Sequence, residues 1–138
     1  MRDDLWRTAS CTRAPTDVDE GLMTLESEDR PWGSWHVIDV APGYKIKRIH
    51  VTPGHRLSLQ THEHRSEHWV VVFGVATCVI DDETIIAGPG HSVDVPLGAK
   101  HRLANEGKEE LVIVEVQHGA YTGEDDICRH EDDFGRVG

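Results

Sequence analysis

An all-β barrel or sandwich is the fold class this sequence predicts, and three observations carry it. Between Pro31 and Gln117, short apolar or alternating runs of about five to six residues recur at regular spacing, separated by turn residues. No segment in that range has a convincing helical period. The run "LSLQTHEHRSEHW", Leu57 to Trp69, sets Leu57 and Leu59 on one face of an extended chain and Ser58, Gln60, His62 and His64 on the other. A strand that is oily on one face and full of metal-capable atoms on the other suits a barrel wall lining a polar cavity.

The elements follow in order. Residues 1–30 are polar and acidic without periodicity, and read as an arm rather than a core element. Residues 31–138 read as one domain with an acidic C-terminal tail. "RPWGSWHVIDV" opens it, and "YKIKRIHV" is closed by Pro53-Gly54. Within "HWVVVFG", the stretch "WVVVF" is apolar on both faces, as a fully buried strand would be. "VATCVI", the acidic turn "DDE", "TIIAG", "HSVDV" before Pro96, "HRLAN" and "ELVIVEVQ" complete the series. The tail "GEDDICRHEDDFGRVG" breaks the alternation and is expected to hold a short helix or a loop.

Composition excludes several functions. The chain of 138 residues is long enough for a sizeable single core, and its formal charge of −11 disfavours nucleic acid or an anionic membrane as a partner. An anionic small molecule is still allowed, because local basic groups can outvote a distant field. The 3 cysteines, Cys11, Cys78 and Cys128, form no CxxC pair and read as reduced thiols of a cytoplasmic protein. No signal core or bilayer-length apolar run is present.

Two blocks of sequence belong together. In the first, Gly54, Gln60, His62, Glu67 and Gly74 follow one another at set intervals; in the second, "GHSVDVPLGAKHRLAN" places Gly90 before Pro96, Gly98, His101 and Asn105. This pair resembles the two signature motifs of the cupin superfamily, whose blocks sit on facing strands of a small jelly-roll barrel, a double-stranded β-helix. The resemblance implies a divalent metal held by Gln60, His62, Glu67 and His101. Gln60 stands where most cupins have a first histidine. Pairing His62 with His64 instead would leave Glu67 only two residues further on, too close for the strand to turn and return. A mixed set of amide oxygen, two imidazoles and one carboxylate suits zinc first, with manganese, cobalt or iron as alternatives. His64 is expected to face the cavity and touch substrate, and His68 to orient a ligand through its second nitrogen. His50, His55 and His118 read as surface or supporting residues.

The segments "RPWG", "YKIKRIHVTPG", "LSLQTHEHRSEHW", "PLGAKHRLAN" and "VIVEVQHGAYTGEDDICRHEDDFGR" are together similar to the type II phosphomannose isomerase module, the C-terminal part of bifunctional enzymes that also make GDP-mannose. Thr61, Glu63 and Ser66 depart from its usual central motif. No nucleotidyltransferase half is matched, so guanylyl transfer is not expected. The resemblance implies interconversion of mannose 6-phosphate and fructose 6-phosphate through a cis-enediol. That chemistry needs a base, an oxyanion stabiliser and a cationic grip on phosphate. Arg65, inside the metal motif, is expected to clamp substrate or stabilise the enediolate. Lys47 and Lys100 are candidates for phosphate contact or proton shuttling. Glu115, on one face of "LVIVEVQ" with Gln117, is the candidate base, and Gln117 a substrate contact. Arg129 is expected to reach over the cavity mouth, with Asp125 and Asp126 anchoring it or another cation. A non-catalytic sugar-phosphate binder and another cupin enzyme such as a dioxygenase are the competing readings. Edge strands of such barrels often pair, so a homodimer is expected.

Overall fold

A computed structural model describes residues 25–137, so most of the polar arm, and Cys11 with it, lies outside the described residues. The described chain is all-β. β1 (Ser27–Arg30), β2 (Gly33–Ala41), β3 (Tyr44–Val51), β4 (Leu59–Thr61), β5 (Arg65–Phe73), β6 (Ala76–Ile80), β7 (Glu83–Ala87), β8 (Ser92–Val95), β9 (His101–Ala104), β10 (Leu111–Gly119) and β11 (Cys128–Glu131) follow in order. They form a six-stranded sheet, β1-β2-β3-β10-β5-β8, and a five-stranded sheet, β11-β4-β9-β6-β7, with every pairing antiparallel. The strands from "YKIKRIHV" to "ELVIVEVQ" lie where the alternation places them. β1 is an addition, formed by the end of the segment read as an arm and paired along β2.

The inner face of the larger sheet is graded along the barrel. Across β2, β3, β10 and β5, Trp35, Ile49, Ile113 and Val71 are opposite one another and buried, an apolar row that belongs to the core. The next row on the same face runs Val37, Lys47, Glu115, Trp69, Val93. The row after that runs Lys45, Gln117, Glu67, Val95. Side chains two residues apart share a face, so the same strands that close the core at one end must carry charge into the barrel at the other.

Three local expectations are corrected. "WVVVF" is not buried on both faces: Trp69 and Val71 are buried, but Val72 and Phe73 are 52% and 53% exposed, because nothing packs on the outer face of β5 at its end. The tail holds no helix; it turns and adds β11 to the edge of β4. The face count from Leu57 does not run through to His64, because β4 stops at Thr61 and the chain turns at Glu63 and His64. That turn is fixed by Asp126, whose carboxylate accepts the amides of Glu63 at 2.9 Å and His64 at 3.0 Å.

Gly119 ends β10 where the backbones touch. A Cβ there would sit 2.0 Å from the His64 carbonyl oxygen, so no other residue fits without moving β5. Cys78 is buried and Cys128 exposed, both as free thiols. No helix among the described residues is long and apolar enough to cross a membrane.

Candidate metal centre

β4 lies between β11 and β9, which puts Gln60 directly opposite His101 on one side and Arg129 on the other. His62 follows at the end of β4, and the turn held by Asp126 returns the chain so that Glu67 of β5 faces it. The ligand atoms of His62, Glu67 and His101 all lie within 4.8 Å of one another, and all three residues are buried. Gln60 donates its amide nitrogen to Ser58 Oγ at 2.9 Å, which leaves its oxygen as the atom to offer a cation.

The donor chemistry tests whether a metal fits. In His62 and His101, Nδ1 faces a backbone carbonyl, at 2.6 Å from Asp126 and 2.9 Å from Ala99. A carbonyl only accepts, so each Nδ1 carries a proton and each Nε2 is the ring atom left to face a cation. Burial, outweighing the attraction of Glu67, lowers the pKa of His101 and favours its neutral form. Yet His62 Nε2 lies 3.1 Å from Glu67 Oε2. A carboxylate oxygen and a ring nitrogen at that separation call for a proton or a cation between them. Arg65 supplies part of that charge, donating Nε to Glu67 at 3.0 Å and Nη2 to His62 Nε2 at 3.2 Å. Two imidazole lone pairs, a carboxylate and an amide oxygen fit a borderline divalent ion.

Around this cluster is a cleft open to solvent at its mouth. Its walls carry Lys47, Gln60, Arg65, Glu67, His101, Glu115, Gln117 and Arg129, so most of the residues singled out in the sequence meet in one cavity. Glu67 is a carboxylate: burial opposes its charge, but a hydrogen bond from Glu115, the Arg65 guanidinium and the His62 contact hold its pKa well below the usual range. Glu115 is pushed well above it, first by burial and then by the Glu67 charge and hydrogen bond. Lys47 is buried over the Trp35 ring at 4.1 Å and donates to Glu124 at 2.8 Å. Gln117 is fully buried with neither amide atom hydrogen-bonded.

Three sequence candidates lie elsewhere. Lys100 is exposed in the loop before β9, where its backbone amide donates to Asp81 Oδ1 at 3.0 Å. His64 is exposed at the turn, with its ring at 6.1 Å from that of Tyr121, in a separate outer cleft with Glu63 and Asp125. His68 also faces outward, against Asp94. Asp126 anchors backbone amides rather than a cation, and Asp125 accepts from the Tyr121 hydroxyl. Lys45 was missed although its parity with Lys47 was a usable signal. It is buried and donates to Glu124 at 3.0 Å. Glu124 itself gave no such signal. Burial opposes its charge, but Lys47 and Lys45 bring its pKa down to about 2.

The family model described as "Mannose-6-phosphate isomerase C-terminal" matches residues 19–132. The chain belongs to that family. It is 51% identical over 108 residues to the alginate biosynthesis protein AlgA of Pseudomonas aeruginosa, covering 78% of this chain and 22% of that protein. It is 50% identical over 108 residues to the mannose-1-phosphate guanylyltransferase ManC of Salmonella typhimurium, with the same coverage. The chain thus spans about a fifth of the length of these curated relatives. Among solved structures, CapF of Staphylococcus aureus aligns with a TM-score of 0.68 at 21% identity, over 78% of this chain and 34% of that one. Oxalate decarboxylase OxdC of Bacillus subtilis aligns at 0.66 and 20%, over 76% and 30%. These likenesses, with the two antiparallel sheets, establish the cupin fold.

Proposed function

We propose that this mannose-6-phosphate isomerase family chain is a metal-dependent aldose–ketose isomerase that interconverts mannose 6-phosphate and fructose 6-phosphate. The observation that carries the reading is the buried Glu115 carboxyl, which lines one cavity with the candidate ligands Gln60, Glu67 and His101 and with the cations Lys47, Arg65 and Arg129. Isomerisation moves one proton between C2 and C1, so it needs a group that can take and return a proton without solvent intervening. Glu115 lines that cavity: its carboxylate form would take the proton from one carbon and its acid form would return it to the other.

Gln60, His62, Glu67 and His101 would hold the divalent ion, which when bound stabilises the negative charge developing on the sugar oxygens. Arg65, beside Glu67 and His62, adds a fixed positive charge at the same place. The Gln117 amide, a free donor and a free acceptor, matches a sugar hydroxyl that both accepts and donates. Trp32, Trp35 and Trp69 give the cavity apolar surface against which a sugar face can lie. The resemblance of the motifs and the names of the relatives support the sugar phosphate as substrate.

The test is a coupled assay from mannose 6-phosphate to fructose 6-phosphate. Chelator-stripped protein is reloaded with zinc, manganese, cobalt or iron. Turnover that returns with one of these metals and disappears in Glu115→Gln supports the proposal. Silence with every metal, in folded protein that binds both metal and sugar phosphate, refutes it and leaves a binding module.

A further inference from the structure

Resting on that reading, the structure also indicates where the phosphate of the substrate sits. Six cations line the cleft: Arg30, Lys47, Arg65, Arg102, Arg129 and Arg136. Five of them are committed to carboxylates. Arg30 pairs with Glu28 at 2.6 Å, Lys47 with Glu124 at 2.8 Å, Arg65 with Glu67 at 3.0 Å, Arg102 with Glu131 at 3.1 Å and Arg136 with Asp132 at 2.7 Å. Among the described residues, Arg129 is the lining cation with no ion pair, and its Nε is buried without a hydrogen-bond partner. A native protein rarely leaves a buried charged donor unanswered.

We propose that Arg129 is the anchor for the phosphate dianion of the sugar substrate, with the guanidinium of Arg136 and that of Arg30 close enough to add to the field. The planar fork of arginine matches two phosphate oxygens, which a lysine cannot do. Position agrees with this. Arg129 of β11 stands directly opposite Gln60 of β4, which stands opposite His101 of β9. It is therefore one strand spacing, about 4.8 Å, from the outermost metal-ligand strand, and two from the strand bearing His101. An open-chain hexose carries its phosphate at the end opposite C1 and C2. With the reacting carbons at the metal cluster, the phosphate must lie toward another wall of the same cavity, and Arg129 lines that cavity from β11, the edge strand of the smaller sheet. Arg65 fails this requirement because its guanidinium is spent on Glu67 and His62 within the cluster. Lys47 is held under Glu124 and over Trp35. Burial and the like charges of Arg136 and Arg30 weigh against the positive charge of Arg129, a conflict that a dianion relieves.

The experiment is isothermal titration of metal-loaded protein, wild type and Arg129→Gln, with mannose 6-phosphate and with mannose. Wild type is expected to prefer the phosphorylated sugar, and Arg129→Gln to bind it about 10- to 100-fold more weakly, the worth of a charge-assisted contact. Affinity for the metal should be unchanged, since Arg129 does not touch the cluster. Arg129→Lys keeps charge but not the fork, and its expected loss of at least severalfold tests the same point should the Gln variant unfold. Folded Arg129→Gln that holds mannose 6-phosphate as tightly as wild type overturns this assignment while leaving the isomerase proposal standing. Wild type that binds no sugar phosphate overturns both.

Discussion

Removing the Asp126 carboxylate should damage both stability and metal binding. Asp126 is 8% exposed and receives two backbone amides, from Glu63 at 2.9 Å and His64 at 3.0 Å, while its own carbonyl takes His62 Nδ1 at 2.6 Å. Hydrogen bonds to a charged acceptor contribute about 1.5–3 kcal/mol each. Glu63 and His64 are exposed, so water can re-bond their amides in part, and the lower end applies. Asp126→Ala should therefore destabilise the protein by about 3 kcal/mol, a large share of the roughly 5–15 kcal/mol typical of a domain. Asp126→Asn, which keeps one acceptor oxygen, should lose about half as much. Urea unfolding of metal-stripped protein reads this without the contribution of bound metal. Metal affinity, by equilibrium dialysis, should fall about 10- to 100-fold in Asp126→Ala because the turn that orients His62 is released. Asp125→Ala is the control, since Asp125 is exposed and accepts from the Tyr121 hydroxyl at the surface. If Asp126→Ala and Asp125→Ala were equally stable and bound metal equally well, the turn would not depend on this carboxylate and the reasoning would fail.

Other consequences can be checked as directly. His101→Ala should weaken metal binding by at least 100-fold and Gln60→Ala by about tenfold, since a neutral amide oxygen is the weaker ligand; equal losses would contradict the assigned roles. Glu124 has its folded pKa depressed to about 2 from 4.5, so its contribution is complete above about pH 5 and is lost as pH falls toward 2. With its side chain 38% exposed and screened, Glu124→Gln should be less stable than wild type by about 1 kcal/mol at pH 7, and the gap should close toward pH 2 in urea titrations. Gly119→Ala, with its new Cβ at 2.0 Å from the His64 carbonyl, should lose several kcal/mol (about 3 or more) or fail to fold, as thermal unfolding would record.

The strands from Tyr44 to Gln117 were legible because their alternation and the turns at Pro53-Gly54 and Asp81-Asp82 are local properties of the chain. Glu115 and Gln117 were legible for the same reason: they share a face with Ile113, and a strand that buries one must bury the others. His64 was misplaced where that rule lapses. Two-residue periodicity holds only while the backbone is extended, and the chain turns after Thr61. Lys100 was misplaced by reading proximity in sequence as proximity in space, since it sits in the loop before β9 begins. "WVVVF" misled because residue type alone does not say whether a second layer covers the outer face.

The sequence by itself determined which residues form the candidate site: Gln60 on a short strand, His62 just past its end, a returning Glu67 and a distant His101 at the spacings of the two blocks. Only the tertiary structure decided its electrostatics. Whether a lysine is free or paired, a carboxyl charged or protonated, depends on groups brought from the other sheet and from the tail. Glu124 meets Lys45 and Lys47 across 79 and 77 residues of chain, and Arg129 meets Gln60 only because β11 docks beside β4. Hydrophobic pattern is written along the chain within a few residues, whereas Coulomb interactions and desolvation are set by distances through space.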